Sequence, residues 1–489
     1  MLLWALHTTF LLLLLARWNA RWVLGLVFVV SAFATYYMDT YQVFIDPPMV
    51  RNVVHTEPKE AAELLTLGLL WRLCWQAGLP LLLLWRVRLQ PRRFSAAVGR
   101  RALAIAALMA LVVGLGLLSF QPMSLLMRGH KEMRYLITPG NWIVSLFSVL
   151  HENNQIAQGP RITVAGDAQL RREKLNRPRL LVIFVGETVR AQNWGLSGYQ
   201  RDTTPELRRR EVVNFDKVTA CGTSTEVSLP CMFSVQGRRN YDADAIARSD
   251  SLLRVLDRAG VATLWRDNQT GCKGVCDGLP FESFLNADDP RHCQNGRCLD
   301  EVLLQDLQAR VDAVDGSQVI VLHPLGNHGP SYFSRYPDAF ERFKPACRTA
   351  QLTDCSAEEI VNAYDNAILY TDHLLALTID FLQQQTDRDT GLIFLSDHGE
   401  SLGERGLYLH GVPYRIAPDV QTQVPLLLWL SPELQAATGV TRECLQRSRA
   451  QPISHDVLFS SVLGLLEVST QDYDPELDLL AQCRRTTPG

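Results

Sequence analysis

Hydrophobic positions are distributed unevenly along the chain. Residues 2–16, 22–37, 64–85 and 102–120 are almost unbroken apolar runs, each near the ~20 residues that carry a helix across a bilayer, the first two being short. They predict four membrane spans. A secretory signal peptide is the alternative for the first, but that run has no basic start and no small-residue cleavage site. From residue 121 to about 150 the chain stays apolar but is broken by Pro122, Gly129, Pro139 and Gly140. Residues 142–150 fit either a helix along the membrane surface or a buried connector. Residues 153–179, with Gly159, Pro160, Gly166 and several arginines, have linker composition.

Beyond that point the pattern changes. Short apolar runs at 180–185, 319–322, 392–395 and 425–429 read as strands, and helical periodicity marks 249–258, 358–384 and 456–466. Alternation of this kind predicts an α/β domain, a mainly parallel sheet between helices. No internal repeat or low-complexity tract interrupts it.

Charge sets the orientation. Arg17 and Arg21 separate the first two spans, and Arg86, Arg88, Arg92, Arg93, Arg100 and Arg101 separate the third and fourth, so both loops are expected in the cytoplasm. The loop between spans two and three carries Asp39, Asp46, Glu57, Glu60 and Glu63 and is expected outside, as is everything after Phe120. An outside amino terminus without a leader points to a further span upstream of this sequence. The division that follows is residues 1–125 as transmembrane helices, 126–178 as interfacial helices and linker, and 179–489 as an outer domain. A net charge of −3 without a strongly basic domain argues against nucleic acid as a partner.

The cysteines agree with that topology. Cys74 lies within a span, and the other ten follow Arg179: Cys221 and Cys231, Cys272 and Cys276, Cys293 and Cys298, Cys347 and Cys355, Cys444 and Cys483. An even number confined to the outer side reads as a disulfide framework, and the close spacing of the first four couples suggests neighbour pairing. Structural zinc held by Cys272, Cys276, Cys293 and Cys298 is the rival reading.

Candidate chemistry sits where strands break. The run Gly391-Leu-Ile-Phe-Leu395 ends in Ser396, Asp397, His398, Gly399 and Glu400, and the run Leu180-Leu-Val-Ile-Phe-Val185 ends in Gly186 and Glu187. Acids at the carboxyl edge of an open sheet are placed where α/β enzymes bind ligands. Glu187, Asp397 and His398 would make an oxygen-rich site with one imidazole, suited to zinc or manganese. Between Cys221 and Cys231, Thr223, Ser224 and Thr225 form a hydroxyl cluster before a possible helix start. Any of the three could be a nucleophile in a positive local field, or a helix cap. His455, in Ser454-His455-Asp456, is read as part of a helix start rather than as a further ligand.

These segments resemble one known family. Val185-Gly-Glu-Thr188 with Trp194-Gly-Leu-Ser-Gly-Tyr199, Cys221-Gly-Thr-Ser-Thr225 with Ser228-Leu-Pro-Cys-Met-Phe-Ser234, His328-Gly-Pro330, and Ser396-Asp-His-Gly-Glu-Ser-Leu-Gly403 with Tyr408-Leu-His410 are similar to motifs of the phosphoethanolamine transferases that modify lipid A. The resemblance runs, in order, over essentially the whole chain after Trp22. It implies an alkaline-phosphatase-like fold, five membrane spans and five disulfides. It also implies a bacterial inner-membrane protein, a monomer, whose catalytic domain lies in the periplasm among membrane lipids.

Laid on matching positions, the resemblance implies zinc held by Glu187, Thr225, Asp397 and His398, with Thr225 as nucleophile. His328 and His410 would bind the donor phosphate or a second zinc and assist proton transfer, and Lys273 and Glu400 would lie near the substrate. The implied reaction moves phosphoethanolamine from phosphatidylethanolamine to a lipid A phosphate of lipopolysaccharide through a covalent threonine intermediate. It would lower outer-membrane negative charge and susceptibility to cationic peptides such as polymyxin. Asn327, Arg405 and Glu226 depart from the family pattern, Glu226 by adding a charge beside Thr225. Alternatives are an acceptor in the lipopolysaccharide core or a surface glycan, a phosphoglycerol transferase, and an inactive lipid-headgroup sensor. A sulfatase would share the fold, but no cysteine here begins a Cys-x-Pro-x-Arg signature.

Overall fold

The computed structural model describes residues 1–88, 94–294 and 296–484. Arg92 and Arg93, used above for orientation, lie outside the described residues. The chain forms two compact units: Met1–Val50 with Leu65–His151, and Arg51–Leu64 with everything from Glu152 onward.

The first unit is helical. Ala20–Tyr41, Leu67–Arg86 and Ser95–Leu118 are long and apolar enough to cross a membrane. The expected first span is the 13-residue helix Leu2–Leu14, about 20 Å long. Polar side chains satisfy one another between helices, as where Thr35 Oγ1 donates to Gln76 Oε1 at 2.8 Å. Outward positions such as Trp71, Leu82, Leu103 and Leu117 are exposed, a surface that suits hydrocarbon rather than water. Residues 142–150 fall within the helix Gly140–Gln158.

The second unit is built on an eight-stranded sheet. Its strands are β1 (Arg179–Gly186), β2 (Val213–Thr219), β3 (Ala262–Asp267), β4 (Phe281–Ser283), β5 (Gln318–His323), β6 (Asp389–Ser396), β7 (Gln423–Leu430) and β8 (Ile453–Ser454). Their order is β8-β2-β7-β6-β1-β5-β3-β4. All pairs are parallel except the two made by β7, which runs against β2 and β6. Successive residues of β1 serve opposite faces: Leu181, Ile183 and Val185 join one core cluster and Leu180, Val182 and Phe184 the other. This two-sided burial is why the central strands read as continuous apolar runs. The helix Ala357–Gln383, started by a capping box of Ser356 and Glu359, covers one face. Leu252–Arg258 and Val457–Leu465 pack into the other.

The stretch with linker composition is part of this fold. Gln169–Leu170 pairs with Val468–Ser469, Ile162 N donates to Arg248 O, and Val164 and Ala165 are buried. Its glycines and arginines masked a segment whose backbone polar groups are met by the domain. The ten outer cysteines pair as neighbours: Cys221–Cys231, Cys272–Cys276, Cys293–Cys298, Cys347–Cys355 and Cys444–Cys483.

Candidate active site

Strands β1 and β6 are parallel neighbours in a register that sets Gly186 opposite Ser396. Glu187 and the Asp397–His398 pair are therefore delivered to one point on the carboxyl edge. A Cβ on Gly186 would come within 2.6 Å of the Phe394 ring, so glycine is required where the two strand ends meet. Thr188 turns the chain at once, at φ 53°. Its N–H and that of His398 both donate to Asp397 Oδ1, at 3.2 and 2.7 Å.

That arrangement leaves one oxygen and one nitrogen facing inward. Asp397 Oδ2 makes no hydrogen bond among the described residues and lies 3.3 Å from His398 Nε2. His398 Nδ1 is 2.9 Å from Gly399 O; a carbonyl only accepts, so Nδ1 carries the proton and Nε2 presents a lone pair. Burial, more than any neighbour, holds this imidazole below its ordinary pKa. Glu187 Oε1 is 3.6 Å from the same Nε2, while Glu187 Oε2 accepts from Gln269 Nε2 at 2.6 Å. One ligand atom from each of Glu187, Asp397 and His398 lies within 4.8 Å of the others, all fully buried. Two carboxylates and a neutral imidazole turning lone pairs toward one another repel unless a cation lies between them. The donor set is that of a zinc or manganese site, so the residues fit a metal.

Thr225 completes the cluster. Its Oγ1 is 3.2 Å from Glu187 Oε2 and 3.3 Å from His398 Nε2, and it is the first residue of the helix Thr225–Met232. Thr223 Oγ1 instead donates to Val412 O, and Ser224 stands at the helix N-cap. Among the described residues only Thr225, of the three hydroxyls, reaches the carboxylates. Several bonds fix it there. The Cys221–Cys231 disulfide ties the loop to the helix, and Ser228 Oγ donates to Asp397 O. A Cβ on Gly222 would lie 2.8 Å from Val227.

His455 belongs to this bracing. It is buried, accepts the Cys221 N–H on Nδ1 at 3.1 Å and donates from Nε2 to Ser396 O at 2.9 Å. It ties the loop between Cys221 and Thr225 to β6 and keeps its ring neutral, its pKa pushed down to about 4 chiefly by burial. The helix start expected there is present, with Asp456 at its N-cap position.

His410 and His328 stand to one side. The His410 ring centroid is 4.4 Å from His398 and 5.3 Å from His328. Glu400, fully buried, accepts from His410 Nδ1 at 2.8 Å and from Tyr332 OH at 2.7 Å, so it orients a histidine. Burial, then His410, drives His328 well below its ordinary pKa. Lys273 Nζ donates to Thr270 Oγ1 at 2.7 Å and lies 3.9 Å from Glu226.

Sequence reasoning missed Gln269, whose isolated amide carried no pattern, and the segment 51–64. In that segment His55 lies 3.2 Å from Glu226, Lys59 Nζ donates to Leu285 O at 2.8 Å, and Glu63 accepts from Arg335 at 2.9 Å. Arg335 Nε in turn donates to His328 O at 2.7 Å. The acidity that marked this loop as external was the one available signal.

Comparison with known proteins gives the family. Residues 179–468 match the sulfatase family and residues 3–154 match the family described as phosphoethanolamine transferase EptA/EptB. Phosphoethanolamine transferase EptA of Escherichia coli (strain K12) is 39% identical over 478 residues, 96% of this chain and 87% of that protein. Phosphatidylethanolamine transferase Mcr-1 of Escherichia coli is 36% identical, over 93% of this chain and 84% of its own. The structure of the integral membrane protein lipooligosaccharide phosphoethanolamine transferase A from Neisseria meningitidis superposes with a TM-score of 0.94 at 36% identity, covering 99% of this chain and 91% of that one. With apolar helices ahead of a periplasmic sulfatase-fold domain that gathers Glu187, Asp397 and His398 at one strand edge, the chain belongs to the phosphoethanolamine transferases of the bacterial inner membrane.

Proposed function

We propose that the protein transfers phosphoethanolamine from phosphatidylethanolamine to a phosphate of lipid A in two displacements at Thr225. The observation that carries this reading is the position of Thr225 Oγ1, at a helix N-terminus and against Glu187 and His398. Glu187, Asp397, His398 and Thr225 would hold zinc, which when bound neutralises the carboxylates, lowers the cost of deprotonating the threonine and offsets charge on the phosphoryl oxygens.

In the first displacement Thr225 Oγ1 bonds to phosphorus and the phosphorus–oxygen bond to glycerol breaks, diacylglycerol leaving with a proton. In the second a lipid A phosphate oxygen attacks the same phosphorus and Thr225 Oγ1 leaves. His410, oriented by Glu400, and His328 are the groups that deliver and collect the proton. Lys273 faces the phosphoryl oxygens. Each added ammonium reduces the negative charge of the outer membrane and with it the binding of cationic peptides such as polymyxin. The enzyme works as a monomer.

The test is mass spectrometry of the full-length, detergent-purified protein after incubation with phosphatidylethanolamine. A phosphoethanolamine adduct on the peptide containing Thr225, absent in Thr225→Ala, is expected. No adduct across a time course, in protein with bound zinc and intact disulfides, overturns the covalent threonine.

A further inference from the structure

Beside the nucleophile helix opens a cavity of about 200 Å³, whose walls include His55, Glu226, Ser234, Tyr241 and Lys273. Glu226 is the second residue of the helix Thr225–Met232, so its side chain leaves the axis roughly 100° around from that of Thr225. One side chain reaches the lone-pair cluster and the next reaches the cavity.

Glu226 and Lys273 form an unusual couple there. Their side chains are 9% and 6% exposed, and the nearest oxygen and nitrogen stand 3.9 Å apart, too far for a direct hydrogen bond. Lys273 Nζ is tethered to Thr270, and both oxygens of Glu226 lie 3.2 Å from Nδ1 of His55. A carboxylate has about four lone-pair sites, and one ring N–H meets at most one of them. An acid at the second position of a helix is favoured by the dipole alone, but that gain needs no burial, and burying a carboxylate carries a cost that a surface cap avoids.

Phosphoethanolamine is a zwitterion, its phosphate and ammonium separated by two carbons. Glu226, the residue after Thr225, and Lys273 present the opposite pair of charges. We infer that Glu226 receives the ammonium of the transferred group while Lys273 faces its phosphoryl oxygens, a contact particular to this chain that adds to its preference for ethanolamine over neutral headgroups. This assignment rests on the function proposed above and deepens it.

The experiment measures diacylglycerol release by the full-length enzyme from phosphatidylethanolamine and from phosphatidylpropanol, whose headgroup has similar length but no ammonium. Wild type, Glu226→Gln and His55→Ala are compared. The ratio of kcat/KM between the two donors is expected to favour phosphatidylethanolamine in wild type and to fall at least ~10-fold in Glu226→Gln, through KM for the charged donor. His55→Ala keeps the wild-type ratio, which it would not if Glu226 served only to anchor the segment 51–64. An equal loss on both donors in Glu226→Gln, complete loss included, overturns the assignment, as does a His55→Ala enzyme that reproduces the altered ratio. Thr225→Ala separates the two proposals. If it releases as much diacylglycerol as wild type, the two-step reading fails and takes this assignment with it; if it is silent, an unchanged ratio in Glu226→Gln counts against Glu226 alone.

Discussion

At the scale of single residues, the site depends on which lone pairs the backbone has already claimed. Asp397 Oδ1 is spent on two N–H groups and His398 Nδ1 on a carbonyl, so Oδ2 and Nε2 have one direction left to face. Asp372 shows the same burial acting away from the chemistry. It is nearly inaccessible, accepts the Glu206 and Leu207 N–H groups at 2.8 and 3.0 Å, and has its pKa pushed up to about 7, chiefly by burial. An unfolded aspartate titrates near ~3.9, so the native state binds the extra proton over the interval between those values, and stability falls as pH rises through it, levelling above about 7. Asp372→Asn removes that dependence. Its melting temperature relative to wild type should therefore climb from pH 5 to pH 7 and stay level to pH 8; a constant offset across that range would contradict the raised pKa of the buried carboxyl.

At the scale of elements, the segment 51–64 is docked by charge. Glu63 meets both Arg297 and Arg335, and Lys59 is caught by Leu285 O, Asn286 Oδ1 and Gly296 O. Arg335 is 4% exposed and also holds His328 O, so the segment bears on a histidine of the site. Removing the Glu63 carboxylate should weaken local closure by ~1.5–3 kcal/mol, the range for hydrogen bonds to charged groups. Glu63→Ala is then expected to speed trypsin cleavage after Arg51 and Lys59 by about tenfold or more in the folded protein, and unchanged cleavage would show that the docking is loose. The four strands β1, β5, β6 and β7 were readable in advance because both faces are buried: residues 180–185 of β1 and 391–395 of β6 are unbroken apolar runs. The segment 51–64 and the stretch 159–179 were not, because their order comes from partners more than 70 residues away in sequence, which local composition does not encode.

For the whole molecule, what the sequence could not supply was adjacency. Strand ends at Glu187 and Asp397 were visible as breaks from apolar to acidic, yet only the parallel pairing of β1 with β6 brings them within reach of one ion. The antiparallel β7, lying between β6 and β2, likewise left no mark in its apolar run. Closing the sheet in this order brings two carboxylates together in a fully buried position, an arrangement whose electrostatic cost a bound cation offsets. Folding and metal binding are therefore expected to be coupled. Stripping the full-length protein with a chelator should lower its melting temperature, and re-adding zinc at ~1,000 times its dissociation constant should restore about 4 kcal/mol of stability. Glu187→Gln and Asp397→Asn should shrink the zinc-dependent shift and raise the melting temperature of the metal-free protein, because each removes one of two buried negative charges that stand close together. Thr225→Ala keeps both carboxylates and should retain most of the shift while losing the phosphoethanolamine adduct. Metal-free protein that melts with or above the zinc-loaded form would mean that the convergent lone pairs do not hold a cation.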